Sequence, residues 1–176
     1  MPPRYTPAAV GLHWLIALLI AGGFGLGWYM TELPLSPAKL KYYAWHKWIG
    51  VSVFLLAVLR VGWRLAHPPP PLPAGMPYWQ LRASAWSHAL LYLMIFLLPL
   101  SGWLYSSASG YPVVYLGVLR LPDLVGKNKE LAGLLHELHE LLGWLLLGLL
   151  ALHIAAALKH HFLDRDGLMG RMWFGR

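Results

Sequence analysis

The fold of this protein is decided by residues 129–161, KELAGLLHELHELLGWLLLGLLALHIAAALKHH, an apolar run long enough to cross a bilayer as one helix. Within this run, His139 and His153 lie fourteen residues apart. Fourteen α-helical steps separate two residues by about 21 Å along the axis and by only about 40° around it. The two imidazoles are therefore predicted to share one face of a transmembrane helix at two depths, a geometry that suits two flat metal cofactors stacked through a membrane.

The composition places the whole chain in a membrane. Of its 176 residues, 58% are hydrophobic and only 12% are charged, whereas a soluble domain has about 25% charged residues. The absence of cysteine excludes disulfides, thiolate-held iron–sulfur clusters and covalent c-type haem. Any redox centre must then be held by nitrogen, oxygen or thioether ligands. The net charge of +7 is attributed to membrane topology and contact with anionic headgroups, and no nucleic-acid partner is expected.

Four transmembrane spans are predicted at about residues 7–30, 41–65, 84–106 and 129–161, which makes the chain a single all-α, four-helix membrane bundle. Thr6 is the expected N-cap of the first span, with Pro7 at its first helical position. The N-terminal sequence lacks a cleavable signal pattern, so this span is expected to remain. The proline-rich segment after His67 is a stiff connector. Pro99 is expected to kink or loosen the third helix.

The basic residues predict the orientation of the bundle. Four spans place both termini and the loop between spans two and three on one side of the membrane. That side carries eight Lys and Arg residues and the other carries six, and the side richer in Lys and Arg is normally cytoplasmic. Both termini are therefore predicted to be cytoplasmic. The eight are Arg4, Arg60, Arg64, Arg82, Lys159, Arg165, Arg171 and Arg176; the six are Lys39, Lys41, Lys47, Arg120, Lys127 and Lys129.

Four histidines form two pairs matched in depth. His13 and His153 lie about 10 Å and 12 Å from the side of the termini, and His46 and His139 lie near the opposite side. Neutral imidazole is the usual axial ligand of b-type haem, and facing helices can supply both ligands. The pattern predicts two haem b groups with two histidines each. On depth alone, His88 of the third helix could replace His13.

The remaining histidines are less informative. The run from His136 to Glu140 resembles the zinc helix of metalloproteases, but that motif requires a second histidine four residues after the first, where this chain has Glu140. His136 is interpreted as a residue of the helix mouth, and His67 and His161 as solvated residues.

The chain resembles the bacterial cytochrome b561 family of four-helix, di-haem inner-membrane proteins. The resemblance covers nearly the whole chain and rests on five segments: GLHW with His13, AWHKWIG with His46, ASAWSHALLY of the third helix, HELLGW with His139, and LHIAAALKHHF with His153. It implies that His13 and His153 bind the cytoplasmic-side haem, and that His46 and His139 bind the periplasmic-side haem. It therefore favours His13 over His88. The extra His136, one turn before His139, departs from the family pattern.

The resemblance also implies electron exchange with the membrane quinone pool, and some family members resemble a superoxide oxidase that reduces ubiquinone. Lys39, Lys41 and Lys47 could steer superoxide to the periplasmic face, or could simply mark a solvated helix start. His160, two turns beyond His153 on the same face, could serve a quinone headgroup together with His88 and Arg82, or could be an interfacial histidine that contacts a haem propionate or lipid headgroups. His160 and Lys47 are thus the catalytic candidates.

Two other functions fit the same sequence. The chain could be the cytochrome b anchor subunit of a membrane-bound dehydrogenase, in which case a protein partner would be present. It could also be a haem-free proton or metal transporter that uses the intramembrane histidines. Arg60, Arg64 and Lys159 are interpreted as orientation residues and as partners of haem propionates rather than as catalytic groups.

Overall fold

The computed structural model describes residues 4–73 and 75–173. Four helices dominate it: α1 (Pro7–Glu32), α2 (Pro37–Ala66), α3 (Tyr78–Ala108) and α4 (Lys129–Lys159). Each is long and apolar enough to cross a membrane, which confirms the predicted all-α, four-helix membrane fold. Arg176, one of the basic residues counted above, lies outside the described residues.

The helix starts follow from capping residues. The hydroxyl of Thr6 accepts a hydrogen bond from the Ala9 amide at 3.3 Å, with Pro7 at the first helical position, as predicted. Helix α2 begins at Pro37 rather than near residue 41, because the Ser36 hydroxyl accepts from the Lys39 amide at 3.2 Å. Helix α3 begins at Tyr78, directly after Pro77, rather than near residue 84. It then runs through Pro99 without interruption.

The end of the fourth helix differs from an ordinary α-helix. After Lys159 the chain forms a π-helical turn (His160–Asp164), followed by Arg165 in the left-handed region with φ 52°. A short 3-10 helix follows at Met169–Met172. His139 and His153 both precede these irregular turns, so the continuous α-helix that their predicted face requires is present between them.

The bundle has two closely packed helix pairs. Helix α1 packs on α2 and α3 packs on α4, while α2 joins the pairs through α3; α1 and α4 approach each other little. The buried core lies at mid-height, where all four helices contribute small or branched apolar residues. Its members are Ile16, Val53, Ala57, Met94, Ile95, Leu142 and Leu146. Most of the remaining apolar surface faces outward, as a lipid-embedded bundle requires.

A β-hairpin that the sequence analysis did not predict connects α3 and α4. Its strands are β1 (Val114–Tyr115) and β2 (Leu119–Arg120). Three residues lie between the paired positions Tyr115 and Leu119. Two of them, Leu116 and Gly117, have positive φ, at 53° and 75°, as tight hairpin turns often require. The hairpin is anchored to α2, because the Trp48 indole donates to the Val114 carbonyl at 2.6 Å. We call this end of the bundle the hairpin end.

The first and last described segments of the chain lie at the other end of the bundle. The Trp14 indole donates to the Met172 carbonyl at 2.8 Å, and the Trp63 indole donates to the Thr6 hydroxyl, also at 2.8 Å. The Arg171 guanidinium donates to the carbonyl of Pro71 in the proline connector at 2.5 Å. We call this the termini end.

Candidate haem-binding sites

The hairpin end of the bundle holds a pair of facing imidazoles. His46 of α2 and His139 of α4 have ring centroids 6.2 Å apart, with an angle of 84° between the ring planes. The two residues lie on helices that do not pack directly against each other, since α3 lies between them in the packing order. The imidazoles therefore face each other across the interior of the bundle.

Each of these rings is held by its Nδ1 atom. His46 Nδ1 lies 3.1 Å from the Gly23 carbonyl oxygen. His139 Nδ1 lies 3.1 Å from the Leu98 carbonyl oxygen and 2.9 Å from the Ser101 hydroxyl oxygen. A protonated Nδ1 can donate in both cases, which leaves Nε2 unprotonated. This is the tautomer of a metal-binding histidine, whose second nitrogen normally donates to a carbonyl.

Two glycines let the helix backbones approach these rings. A methyl group added at Gly102 would lie 2.9 Å from His139 Cε1, closer than side chains tolerate. A methyl group at Gly27 would lie 3.4 Å from His46 Cε1. The backbones of α1 and α3 thus form the walls against which the rings are placed.

We expect Gly102→Ala to lower the haem content of the purified protein by about half, because the ring of His139 must move away from its two Nδ1 partners. Alanine favours the helix more than glycine does, so a loss of haem would not come from a broken helix. The matched control is Gly22→Ala, where the added methyl group meets nothing within 4 Å. Equal haem content in the two variants would show that the close approach at Gly102 has no role.

At the termini end, three imidazoles lie together. His13 of α1 and His153 of α4 have ring centroids 6.2 Å apart, with an interplanar angle of 66°. His88 of α3 also faces His153, at 5.6 Å and 80°, and its Nδ1 lies 2.7 Å from the Ser84 carbonyl oxygen. Proximity alone therefore does not choose between His13 and His88 as the partner of His153.

The packing of the helices distinguishes His13 from His88 as candidate partners of His153. His88 lies on α3, which packs directly along α4, whereas His13 lies on α1, which approaches α4 little. A flat macrocycle needs a gap between the helices that hold it. The gap between α1 and α4 meets this need better than the packed contact between α3 and α4.

A half-buried arginine lies beside the termini-end histidines. Arg60 is within electrostatic range of His13, His88 and His153. Its Nε donates to the Tyr92 hydroxyl at 3.1 Å, but its Nη1 is buried without a hydrogen-bond partner. Among the described residues, no carboxylate forms an ion pair with Arg60. A buried cation without a counter-ion is unfavourable, so this position fits a ligand that carries an anionic group.

The residues present fit haem b. An iron bound to one nitrogen of each ring, at about 2 Å, separates two imidazole centroids by about 6 Å, and both the His13–His153 and His46–His139 pairs are separated by 6.2 Å. The anionic propionates of a haem would also supply the partner that Arg60 Nη1 lacks. The donor set is all imidazole, as the absence of cysteine requires.

The lysines predicted to steer an anion each have a contact of their own. Lys39 Nζ donates to the carbonyls of Leu33 and Thr31 at the end of α1, at 2.6 and 3.3 Å. Lys41 lies over the Trp45 ring at 4.9 Å. Lys47 Nζ donates to the Tyr111 carbonyl next to the hairpin at 3.1 Å. Lys47 is the residue after His46, which makes it the lysine best placed to act near that pair.

The predicted quinone residues are not gathered in one pocket. Arg82 lines an open groove of about 300 Å³ on α3 together with Ala85, Trp86 and Ala89. Within the part of the chain that the structure describes, neither His88 nor His160 lines this groove. His160 instead contacts Asp164 and Asp166, while His88 lies beside His153.

His136, His67 and His161 make their ring contacts with aromatic residues other than histidine. His136 is exposed and contacts the ring of Tyr105, at a centroid distance of 5.2 Å. His67 stacks on Trp63 at 4.2 Å, and His161 contacts Phe162 at 4.6 Å. Of the two histidines in the HELHE run, the structure therefore places only His139 opposite another imidazole.

Some residues of the sites were not identified from the sequence. Ser101 and Gly102 hold and accommodate His139, and only a Ser-Gly pair inside an apolar helix could have indicated them. Gly23 and Gly27 serve His46 in the same way. Glycine in a helix interior is unfavourable, so glycines at these positions are a sequence signal of close backbone approach.

Known proteins are similar in sequence to this chain over nearly its whole length. The sequence model of the prokaryotic cytochrome b561 family matches residues 4–175. The chain is 36% identical to cytochrome b561 homolog 2 of Escherichia coli K12, over 97% of this chain and 92% of the relative. It is 29% identical to cytochrome b561 homolog 1 of the same organism, over 96% of both chains. It is 28% identical to a probable superoxide oxidase, CybB, of Yersinia pestis, over 98% of this chain and 97% of the relative.

Proposed function

The chain belongs to the prokaryotic cytochrome b561 family of haem-binding membrane electron carriers, and on this premise we propose that it binds two b haems and exchanges electrons with membrane quinone. His13 and His153 hold one haem at the termini end, and His46 and His139 hold the other at the hairpin end. When bound, haem b supplies reversible one-electron chemistry at its iron.

One observation carries this proposal: α4 contributes a histidine to each of two imidazole pairs with the same ring separation of 6.2 Å. The fourteen-residue spacing places the pairs about 21 Å apart along α4. The side chains between them are apolar, so the bundle excludes water along this path. This arrangement supports two redox positions, one near each end of the bundle.

The electron partners follow from the two ends. We propose that the protein lies in the bacterial inner membrane with both termini in the cytoplasm, as the excess of Lys and Arg at the termini end favours. Superoxide would then donate at the periplasmic face near Lys47, and ubiquinone would be reduced at the termini end near His160 and His88. The relative from Yersinia pestis, named a probable superoxide oxidase, supports this direction.

The decisive experiment counts the haems of the purified protein by the pyridine haemochrome assay. We expect about two b haems per chain, from two sites with two histidines each. Fewer than one haem per chain would contradict the redox function and favour the haem-free transporter. Stopped-flow reduction by superoxide, followed by oxidation with short-chain ubiquinone, then tests the donor and acceptor. If haem is present but turnover needs a stoichiometric dehydrogenase partner, the chain is an anchor subunit.

A further inference from the structure

The last turn of the fourth helix directs two carboxylates at one imidazole nitrogen. His160 Nδ1 lies 2.6 Å from Asp166 Oδ2 and 3.1 Å from Asp164 Oδ2. This arrangement needs the π-helical turn (His160–Asp164) and the left-handed Arg165, which turn the chain back towards His160. Single π-turns and left-handed non-glycine residues occur often at functional sites.

The two carboxylates are engaged differently. Asp164 Oδ2 is shared with Lys159, whose Nζ lies 2.5 Å away, so a cation of the chain already balances its charge. Asp166 has no such cation among the described residues. Its second oxygen accepts from the Leu168 amide at 3.0 Å, which fixes the carboxylate in place. Asp166 is therefore the dedicated partner of His160.

The hydrogen bond to Asp166 determines which nitrogen of His160 is available. With Nδ1–H donating to the carboxylate, Nε2 is the nitrogen free to meet a ligand. No hydrogen bond from the described residues engages Nε2. His160 is half-buried, as are His153 and Ala157 on the same face of the helix, and the side chain of Asp166 is as little exposed as that of His160.

We propose that Asp166 is the positioning residue that makes His160 the proton donor for quinone reduction at the termini end. This inference rests on the proposed function. Reduction of a quinone to a quinol takes two electrons, supplied one at a time by the cytochrome, and two protons. In each protonation the Nε2–H bond of the His160 imidazolium breaks and an O–H bond forms on a quinone oxygen. The neutral imidazole keeps its Nδ1–H bond to Asp166 and takes a new Nε2 proton from cytoplasmic water.

The test measures oxidation of the chemically reduced holoprotein by short-chain ubiquinone, with haem absorbance as the signal. We expect Asp166→Asn to lower the maximal rate about tenfold or more. The ubiquinone concentration at half-maximal rate and the haem content should stay unchanged, and the rate ratio between H₂O and D₂O should increase. The matched control is Asp123→Asn, which removes an exposed carboxylate at the hairpin end and should match the unmodified protein.

A double-mutant cycle separates positioning from a structural role. His160→Gln should slow oxidation at least as much as Asp166→Asn, and adding Asp166→Asn to His160→Gln should cause no further loss. If Asp166→Asn fails to bind haem, Asp166→Glu, which moves the carboxylate by one methylene, takes its place in the cycle.

Three results would overturn the inference. Asp166→Asn could behave like the Asp123→Asn control, or its effect could add fully to that of His160→Gln. In either case quinone reduction itself would stand. If the unmodified protein carries haem and ubiquinone does not oxidise it, the quinone function is wrong and the role of Asp166 is excluded with it.

Discussion

Replacing His139 by leucine is expected to remove about half of the haem b from the purified protein, because one of two sites loses an axial ligand. His139 faces His46 at 6.2 Å and is held by Leu98 and Ser101. Leucine is apolar and of similar size, so insertion of α4 into the membrane is preserved or improved. The expected loss therefore reports ligation and not the failure of a helix to span.

The matched control for this variant is His136→Leu, one turn earlier on α4. His136 is exposed and contacts Tyr105 rather than another histidine, so its replacement should leave the haem content unchanged. The pyridine haemochrome assay, normalised to protein concentration, compares the two. A loss of haem in His136→Leu without a loss in His139→Leu would show that His136 is the haem ligand in the HELHE run and that the assignment to His139 is wrong.

The retained haem gives the second readout. In His139→Leu the termini-end pair is untouched, so the remaining haem should keep the low-spin spectrum of a site with two histidines. Electron paramagnetic resonance measures this directly. A protein that loses both haems would mean that the two sites form together, and the independence proposed for the two imidazole pairs would be wrong.

Much of the fold could be predicted from the sequence because hydropathy and helix capping are local properties. The four helices follow from apolar runs, and the start of α1 follows from Thr6 and Pro7. The start of α2 was predicted too late, although Ser36 and Pro37 repeat the same signal. The hairpin could not be predicted, because its short strands depend on contacts with Trp48 and Ser52 of a distant helix.

Some features of the candidate sites could likewise be predicted from the sequence, and others could not. The shared face of His139 and His153 depends only on helical periodicity, and α4 is continuous between them. The choice between His13 and His88 as the partner of His153 depends on which helices pack closely, and no spacing within one helix contains that information. Arg60 shows the same limit: its charge is visible in the sequence, but the buried Nη1 atom without a hydrogen-bond partner appears only when the neighbouring helices are in place.

Replacement of His13 by leucine should remove the termini-end haem, whereas replacement of His88 by leucine should leave it in place. We expect His13→Leu to lower the haem content by about half, since it removes an axial ligand. We expect His88→Leu to retain both haems. The helix packing supports this order, because His88 lies on α3, which packs directly along α4, whereas His13 lies on α1, which approaches α4 little.

The two variants also differ in what they leave behind. His13→Leu leaves Arg60 Nη1 without the anionic partner that the haem propionates would provide, so it should also lower the thermal stability of the protein. His88→Leu removes a side chain that bonds to its own helix at Ser84 and faces the ring of His153, and its effect should appear in the rate of oxidation by ubiquinone. The haemochrome assay and that oxidation rate, measured on both variants, decide the assignment. A loss of haem in His88→Leu with full haem in His13→Leu would make His88 the ligand, because one lost haem requires one lost ligand.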